Sequence, residues 1–92
     1  MANIHIERRH SLGRDGARGR VERIAVDLKR DLHADYEWQG DTLVFKRSGA
    51  SGTIEVGDES IVIDIKLGMA LGLMKGKIEA GIEHNLDQVL TA

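Results

Sequence analysis

The sequence predicts a small α+β domain with the element order strand, helix, four strands, helix (β-α-β-β-β-β-α). Apolar residues recur at helical spacing before residue 32 and again after residue 68, and they alternate with polar residues between residues 35 and 65. A sheet with one apolar face buries that face under helices. We therefore expect one curved antiparallel sheet with two helices packed on one face, in a single domain spanning residues 1–92.

The first strand and first helix follow from a change of periodicity near residue 12. Asn3 to Arg9 alternates apolar and polar residues, which predicts a half-buried strand. A helix is predicted from about Arg14 to Leu32. Its apolar positions form one stripe: Ala17, Val21, Ile24, Ala25, Leu28 and Leu32. Gly16 and Gly19 weaken its first turns, since glycine costs about 1 kcal/mol relative to alanine inside a helix.

Four strands are predicted between Asp35 and Ile65, where apolar residues occur at every second position in four runs. The runs contain Tyr36 and Trp38, Leu43 and Phe45, Ile54 and Val56, and Ile61, Ile63 and Ile65. Short segments rich in turn-forming residues separate them, at residues 39–41, 48–52 and 57–59. Connections this short imply hairpins, so the four strands should form an antiparallel meander.

A second, continuous helix is predicted from Gly68 to the C-terminus. Its apolar stripe consists of Leu71, Met74, Ile78, Ile82, Leu86 and Val89. Gly68, Gly72 and Gly76 recur every four residues, followed by Ala80, and would form a ridge without bulky side chains. Such a ridge permits the close approach either of this helix to the sheet or of a second copy of the chain.

The start of the second helix carries more apolar residues than one buried face needs. We expect Met69 and Leu73 to be the most exposed of these residues. Methionine suits an irregular apolar partner because its side chain is flexible and polarisable. Met69 and Leu73, together with the glycines of the ridge, Gly68, Gly72 and Gly76, are therefore the predicted apolar or partner-binding surface.

Composition argues against several classes of protein. The chain has no cysteine, which excludes disulfide scaffolds, thiol chemistry and cysteine metal sites. A net charge of −2 argues against a nucleic-acid partner, although arginines crowd the N-terminal quarter. The longest apolar-rich segment, residues 67–74, is far shorter than the about 20 residues that span a bilayer. No apolar run follows a basic stretch at the N-terminus, so we expect a cytoplasmic protein.

No residue pattern predicts catalysis. Gly13, Gly16 and Gly19 match neither of the common phosphate-binding fingerprints. His10 beside Ser11 has no evident third group to orient a nucleophile and base. The spacing of the acidic and histidine residues implies no set of three convergent metal ligands. We therefore predict a protein without enzymatic activity, cofactor or metal.

Several segments together carry a resemblance to a known family. They are Ile4 to Arg8 with His10, Leu12 and Gly13; Ala17-Arg18 and Val21-Glu22; Tyr36 to Leu43; Gly52 to Val56; Leu67-Gly68 with Leu71 and Gly72; Lys75-Gly76; and Ile78-Glu79. In their order and spacing the chain resembles the small bacterial polyhydroxyalkanoic acid system proteins, also called polyhydroxyalkanoate granule regulatory proteins. The resemblance implies association with the system that stores polyhydroxyalkanoate, a hydrophobic polyester, in cytoplasmic granules. It implies no established enzymatic activity and transfers no catalytic residues. The order of elements also resembles a shortened helix-grip fold, in which a long C-terminal helix lies across a curved sheet.

Three hypotheses follow. The first is a non-enzymatic accessory that contacts the granule polymer or a granule protein through the apolar surface near Met69 and Leu73. The second is a small-ligand module that holds an acyl or hydroxyacyl chain in a cleft between the sheet and the second helix, near Trp38. The third is a structural homodimer with the glycine ridge as its two-fold seam.

Overall fold

A computed structural model describes the backbone of residues 2–90 and all of their side chains except those of residues 2, 31, 32 and 89. Its elements are β1 (Ala2–Arg9), α1 (Gly13–Leu32), β2 (Asp35–Gln39), β3 (Thr42–Arg47), β4 (Ala50–Val56), β5 (Ser60–Leu67), α2 (Met69–Gly72) and α3 (Lys75–Leu90). The side chains of Leu32 and Val89, which the sequence pattern assigns to the core, lie outside the described part. The α+β class and the order of the first six elements are as predicted.

The five strands form one antiparallel sheet in the order β1-β5-β4-β3-β2. β2 to β5 follow one another as the predicted meander, and β1 pairs on the far side of β5. β1 and β2 therefore lie at opposite edges, so α1, which joins them, crosses the sheet and contacts β4 and β2 on its way.

The strand register places the apolar side chains on a single face of the sheet. Ile4 lies opposite Ile65, and Ile54 lies between Ile63 and Leu43 on its two neighbouring strands. Each of these side chains is buried. The helices cover this face with fully buried residues of their own: Ala17, Val21, Ala25 and Leu86. The predicted packing of the helices on one face is confirmed, and it leaves the opposite face of the sheet open.

The C-terminal helical region differs from the predicted single helix. α2 and α3 are separated by Leu73 and Met74, which form a turn. The Met74 N–H donates to the Leu71 carbonyl, at the tighter three-residue spacing instead of the four-residue spacing of an α-helix. Gly72 and Gly76, two residues of low helix propensity, lie on either side of this turn.

α3 docks near the β1 edge of the sheet. It contacts β1 and α1, whereas α1 lies over β4 and β2. Arg8, on the covered face of β1, forms ion pairs with Glu83, at 3.9 Å, and with Asp87 of α3. The C-terminal helix thus shares the covered face with α1. None of the helices within residues 2–90 is long and apolar enough to cross a bilayer.

Candidate functional site

An exposed apolar surface lies where β5 leads into α2 and α3. Met69 is 84% exposed, Leu73 is 91% exposed and Met74 is 46% exposed. We call these three residues the α2 patch. Monomeric proteins expose single apolar residues commonly, but neighbouring ones of this size and exposure are typical of contact surfaces.

Local geometry explains why Met69 and Leu73 point outward. They are separated by four residues, which places them on the same side of a helical turn, whereas Leu71 lies between them on the opposite side. Leu71 is partly buried and packs against the core. The Gly68 N–H donates to the Gly49 carbonyl at 2.8 Å, which ties the start of α2 to the β3–β4 turn. The chain therefore anchors α2 through its inner side and presents the patch on its outer side.

The segment that carries the α2 patch has only positive charges. From Leu67 to Ile78 the sequence contains two lysines and no acidic residue. Lys75 and Lys77 follow the patch directly and are exposed. The patch is therefore an apolar surface with a basic border.

The ridge glycines do not act as one packed surface. Gly68 has an extended backbone before α2, Gly72 ends α2, and Gly76 lies in α3. A Cβ atom added at Gly68 would lie 3.4 Å from the Gly49 carbonyl oxygen, whereas one added at Gly76 would meet nothing within 4 Å. Gly68 therefore lies next to the β3–β4 turn, whereas Gly76 is exposed and has open space around it.

Trp38 lies beside α1 rather than beside the C-terminal helix. Its Nε1 donates to Glu22 at 2.8 Å, and the guanidinium carbon of Arg18 lies 4.4 Å from the centre of its ring. The depression at this point is lined by Asp15, Arg18, Gly19, Glu22 and Trp38. The cleft expected between the sheet and the second helix at Trp38 is thus occupied on that side by α1, and its charged lining does not suit an acyl chain.

Glu22 is the centre of this cluster, and sequence reasoning missed it. Its second carboxylate oxygen accepts a hydrogen bond from the Tyr36 hydroxyl at 2.8 Å, and this bond raises the pKa of Tyr36 above its usual 10.0. Arg18 and Glu22 share a helix face at i,i+4 spacing, which the sequence could reveal. Their aromatic partners on β2 become evident only once α1 is placed over that strand.

His10 forms hydrogen bonds that join two loops of the chain. Its Nδ1 accepts from the Leu12 N–H at 3.2 Å, and its Nε2 lies 3.1 Å from the Gly57 carbonyl. Both contacts are hydrogen bonds when Nε2 carries the hydrogen and Nδ1 accepts. The backbone N–H of His10 also donates to the Glu59 carbonyl at 2.9 Å. His10 therefore fixes the β1–α1 connection to the β4–β5 turn, and its ring nitrogens are both engaged.

Several N-terminal arginines are held by acidic side chains. Arg14 lies 3.2 Å from Asp41 and 3.3 Å from Asp58, and Arg9 lies 3.6 Å from Glu59. These arginines connect α1 and β1 to neighbouring turns. Among the described side chains, no group of three or more His, Asp and Glu residues is arranged to hold a metal ion.

Comparison with known proteins identifies a family for the chain. The family model described as "Putative polyhydroxyalkanoic acid system protein" matches residues 4–90 of the 92. No curated protein and no solved structure matches the chain. The family match covers the described elements from residue 4, within β1, to the end of α3.

Proposed function

The chain belongs to the family of polyhydroxyalkanoic acid system proteins, and on that premise we propose that it is a non-enzymatic accessory of polyhydroxyalkanoate granules. In this proposal the α2 patch contacts the polyester or an apolar surface of a granule protein. The exposure of Met69 and Leu73 is the observation that carries the proposal.

The chemistry of the patch suits a polyester surface. A polyhydroxyalkanoate offers aliphatic chain and ester carbonyls, so a partner needs flexible apolar contact and a few hydrogen-bond donors. Met69, Leu73 and Met74 supply the apolar contact, and Lys75 and Lys77 supply donors at its border. Because the patch residues are exposed on α2 and the turn that follows it, contact there does not require the buried side chains of the sheet to move.

Co-sedimentation with polyhydroxybutyrate particles, beside polystyrene particles, tests the proposal. Wild-type protein should bind the polyester selectively, and Met69→Glu with Leu73→Glu should lose most of that binding. Both positions are exposed, so the free energy of unfolding should change by less than about 0.5 kcal/mol. Unchanged binding by the folded double variant would show that the α2 patch is the wrong surface.

Two further variants separate the possible causes of lost binding. Met69→Gln with Leu73→Gln removes apolar contact without adding charge and should also reduce binding. Val26→Glu is the matched control, because Val26 is a 48% exposed apolar residue on α1 and is not part of the patch. Val26→Glu should bind as wild type does. Equal loss of polyester binding in Val26→Glu and in the Met69→Glu, Leu73→Glu double variant would indicate a general effect of negative charge.

A homodimer through the C-terminal glycines is our second proposal. Gly76 and Ala80 are exposed on one face of α3, and nothing lies within 4 Å of a Cβ added at Gly76. Sedimentation equilibrium should then give twice the 10.1 kDa mass of one chain, and Gly76→Leu should reduce it to one chain. A monomeric wild-type protein would eliminate the homodimer proposal and would not affect the proposal of granule binding.

A further inference from the structure

The open face of the sheet carries a groove of about 430 Å³. Two cross-strand rows of side chains line it. The first row runs Asn3, Lys66, Ser51, Lys46 across β1, β5, β4 and β3, and the second runs His5, Asp64, Thr53, Val44 across the same strands. Because both rows point away from the helices, this groove is separate from the α2 patch.

The first row concentrates positive charge around a hydroxyl. Lys46 and Lys66 flank Ser51 on adjacent strands, so their Cα atoms are roughly 10 Å apart. Both lysines are exposed, and neither forms an ion pair with another described residue. Asp35 continues the row on β2, beyond the groove. A ligand carboxylate bound above Ser51 would have the ammonium groups of Lys46 and Lys66 on its two sides. It would accept a hydrogen bond from the Ser51 hydroxyl.

The second row contains an apolar side chain, a hydroxyl group and an ion pair. Val44 is a partly exposed apolar residue, and Thr53 beside it provides a hydroxyl. Asp64 is engaged by His5, whose Nδ1 lies 2.5 Å from its carboxylate oxygen, and this contact raises the pKa of His5 above 6.5. The groove therefore holds two lysines outside any ion pair among the described side chains, and one carboxylate, that of Asp64, which already contacts His5. The two rows lie about 7 Å apart along the strands.

We propose that this groove binds a short hydroxycarboxylate, with the carboxylate between Lys46 and Lys66 and the hydroxyl-bearing chain against Thr53 and Val44. The carboxylate matches the unpaired charges of the first row. A chain of a few carbons spans the distance to the second row, where a hydroxyl and a small apolar group both find partners. The proposal goes beyond granule binding and does not depend on it, because none of the residues that line the groove belongs to the α2 patch.

Chemical-shift titration of the ¹⁵N-labelled protein with 3-hydroxybutyrate, at constant ionic strength, tests the proposal. Exposed charges bind one carboxylate weakly, so we expect a Kd on the order of 1 mM, with saturable shifts at Ser51, Thr53 and Asp64. Butyrate, which lacks the hydroxyl, should bind several-fold more weakly. 1,3-Butanediol, which lacks the carboxylate, should produce no saturable shift.

Two lysine-to-glutamine double variants provide a matched comparison. Lys46→Gln with Lys66→Gln should weaken 3-hydroxybutyrate binding at least tenfold, because both ammonium groups are lost. Lys75→Gln with Lys77→Gln removes the same charge from α3 and should bind as wild type does. No saturable shift in the wild type, equal weakening by both pairs, or equal affinity for butyrate would overturn the proposal. Polyester co-sedimentation of the Lys46 and Lys66 variant should stay unchanged in every case.

Discussion

Replacing Gly52 with alanine tests the strand register directly. A Cβ atom at this position would point to the covered face, 2.6 Å from the Asp64 carbonyl oxygen, 2.7 Å from Cζ of Phe45 and 3.2 Å from Cα of Ile65. Contacts under 3.0 Å are repulsive, so something must move. Rotation of the Phe45 ring leaves Cζ in place, because Cζ lies on the rotation axis, so the buried side chain must change its χ1 angle to yield. The atoms of Asp64 and Ile65 belong to the backbone of β5, which is paired on both sides.

The cost of this substitution follows from the geometry. Adding a methyl group to a tightly packed core costs about 1–3 kcal/mol, and a rigid backbone obstacle favours the upper part of that range. Alanine also reduces the entropy of the unfolded chain, which offsets about 0.4–1 kcal/mol. We therefore expect Gly52→Ala to lower the free energy of unfolding by about 2 kcal/mol. For a domain of this size, that lowers Tm by roughly 10 °C.

Urea unfolding followed by the fluorescence of the single tryptophan, with thermal unfolding by circular dichroism, measures this loss. Gly19→Ala is the matched control, because Gly19 lies inside α1 and an added Cβ would meet nothing within 4 Å. The control should raise stability by up to about 1 kcal/mol, since alanine favours the helix. Equal stability of Gly52→Ala and wild type would refute the placement of Phe45 and β5 against Gly52.

Three further predictions concern the core, the open face and the α1–β2 contact. Leu86→Ala should cost about 2–5 kcal/mol in urea unfolding because Leu86 is fully buried; a loss below 1 kcal/mol would mean that α3 is not docked. Asp64 raises the pKa of His5, so their pair stabilises the fold below pH 6.5 and this stability is lost as the pH rises through the raised value. The free energy of unfolding of Asp64→Asn should thus differ from that of wild type more at about pH 5.5 than at about pH 9, and a constant difference would contradict the pairing. Glu22→Gln should lower the pKa of the single tyrosine toward 10.0 in an ultraviolet titration, whereas an unchanged pKa would place Tyr36 away from residue 22.

Periodicity predicted most of the fold. Alternation of apolar and polar residues located the strands. One face of the sheet is buried and the other is open, so successive side chains along a strand are apolar and polar in turn. The helical stripe located α1 for the same reason. Periodicity could not reveal that Leu73 and Met74 interrupt the C-terminal helix, because their apolar character continues the stripe while the backbone follows a tighter turn.

The contact surfaces were predicted unevenly. The exposure of Met69 and Leu73 could be predicted because one helical side cannot bury every apolar residue around residue 70. The position of Trp38 could not, since it depends on which helix covers β2. The groove was also hidden, because Lys46, Ser51 and Lys66 are distant in sequence and adjacent only through the register of β3, β4 and β5.

The pairing of β1 with β5 also constrains how the chain folds. Residue 4 pairs with residue 65, whereas β2 to β5 are joined by short turns between neighbouring strands. Closing a long loop costs more chain entropy than closing a hairpin, so the meander has the faster route to formation. During synthesis, β1 and its apolar side chains must wait for β5 to emerge before they find their partner. A chain stopped before Ser60 would keep its first strand without a partner, which makes β5 the element on which completion of the sheet depends.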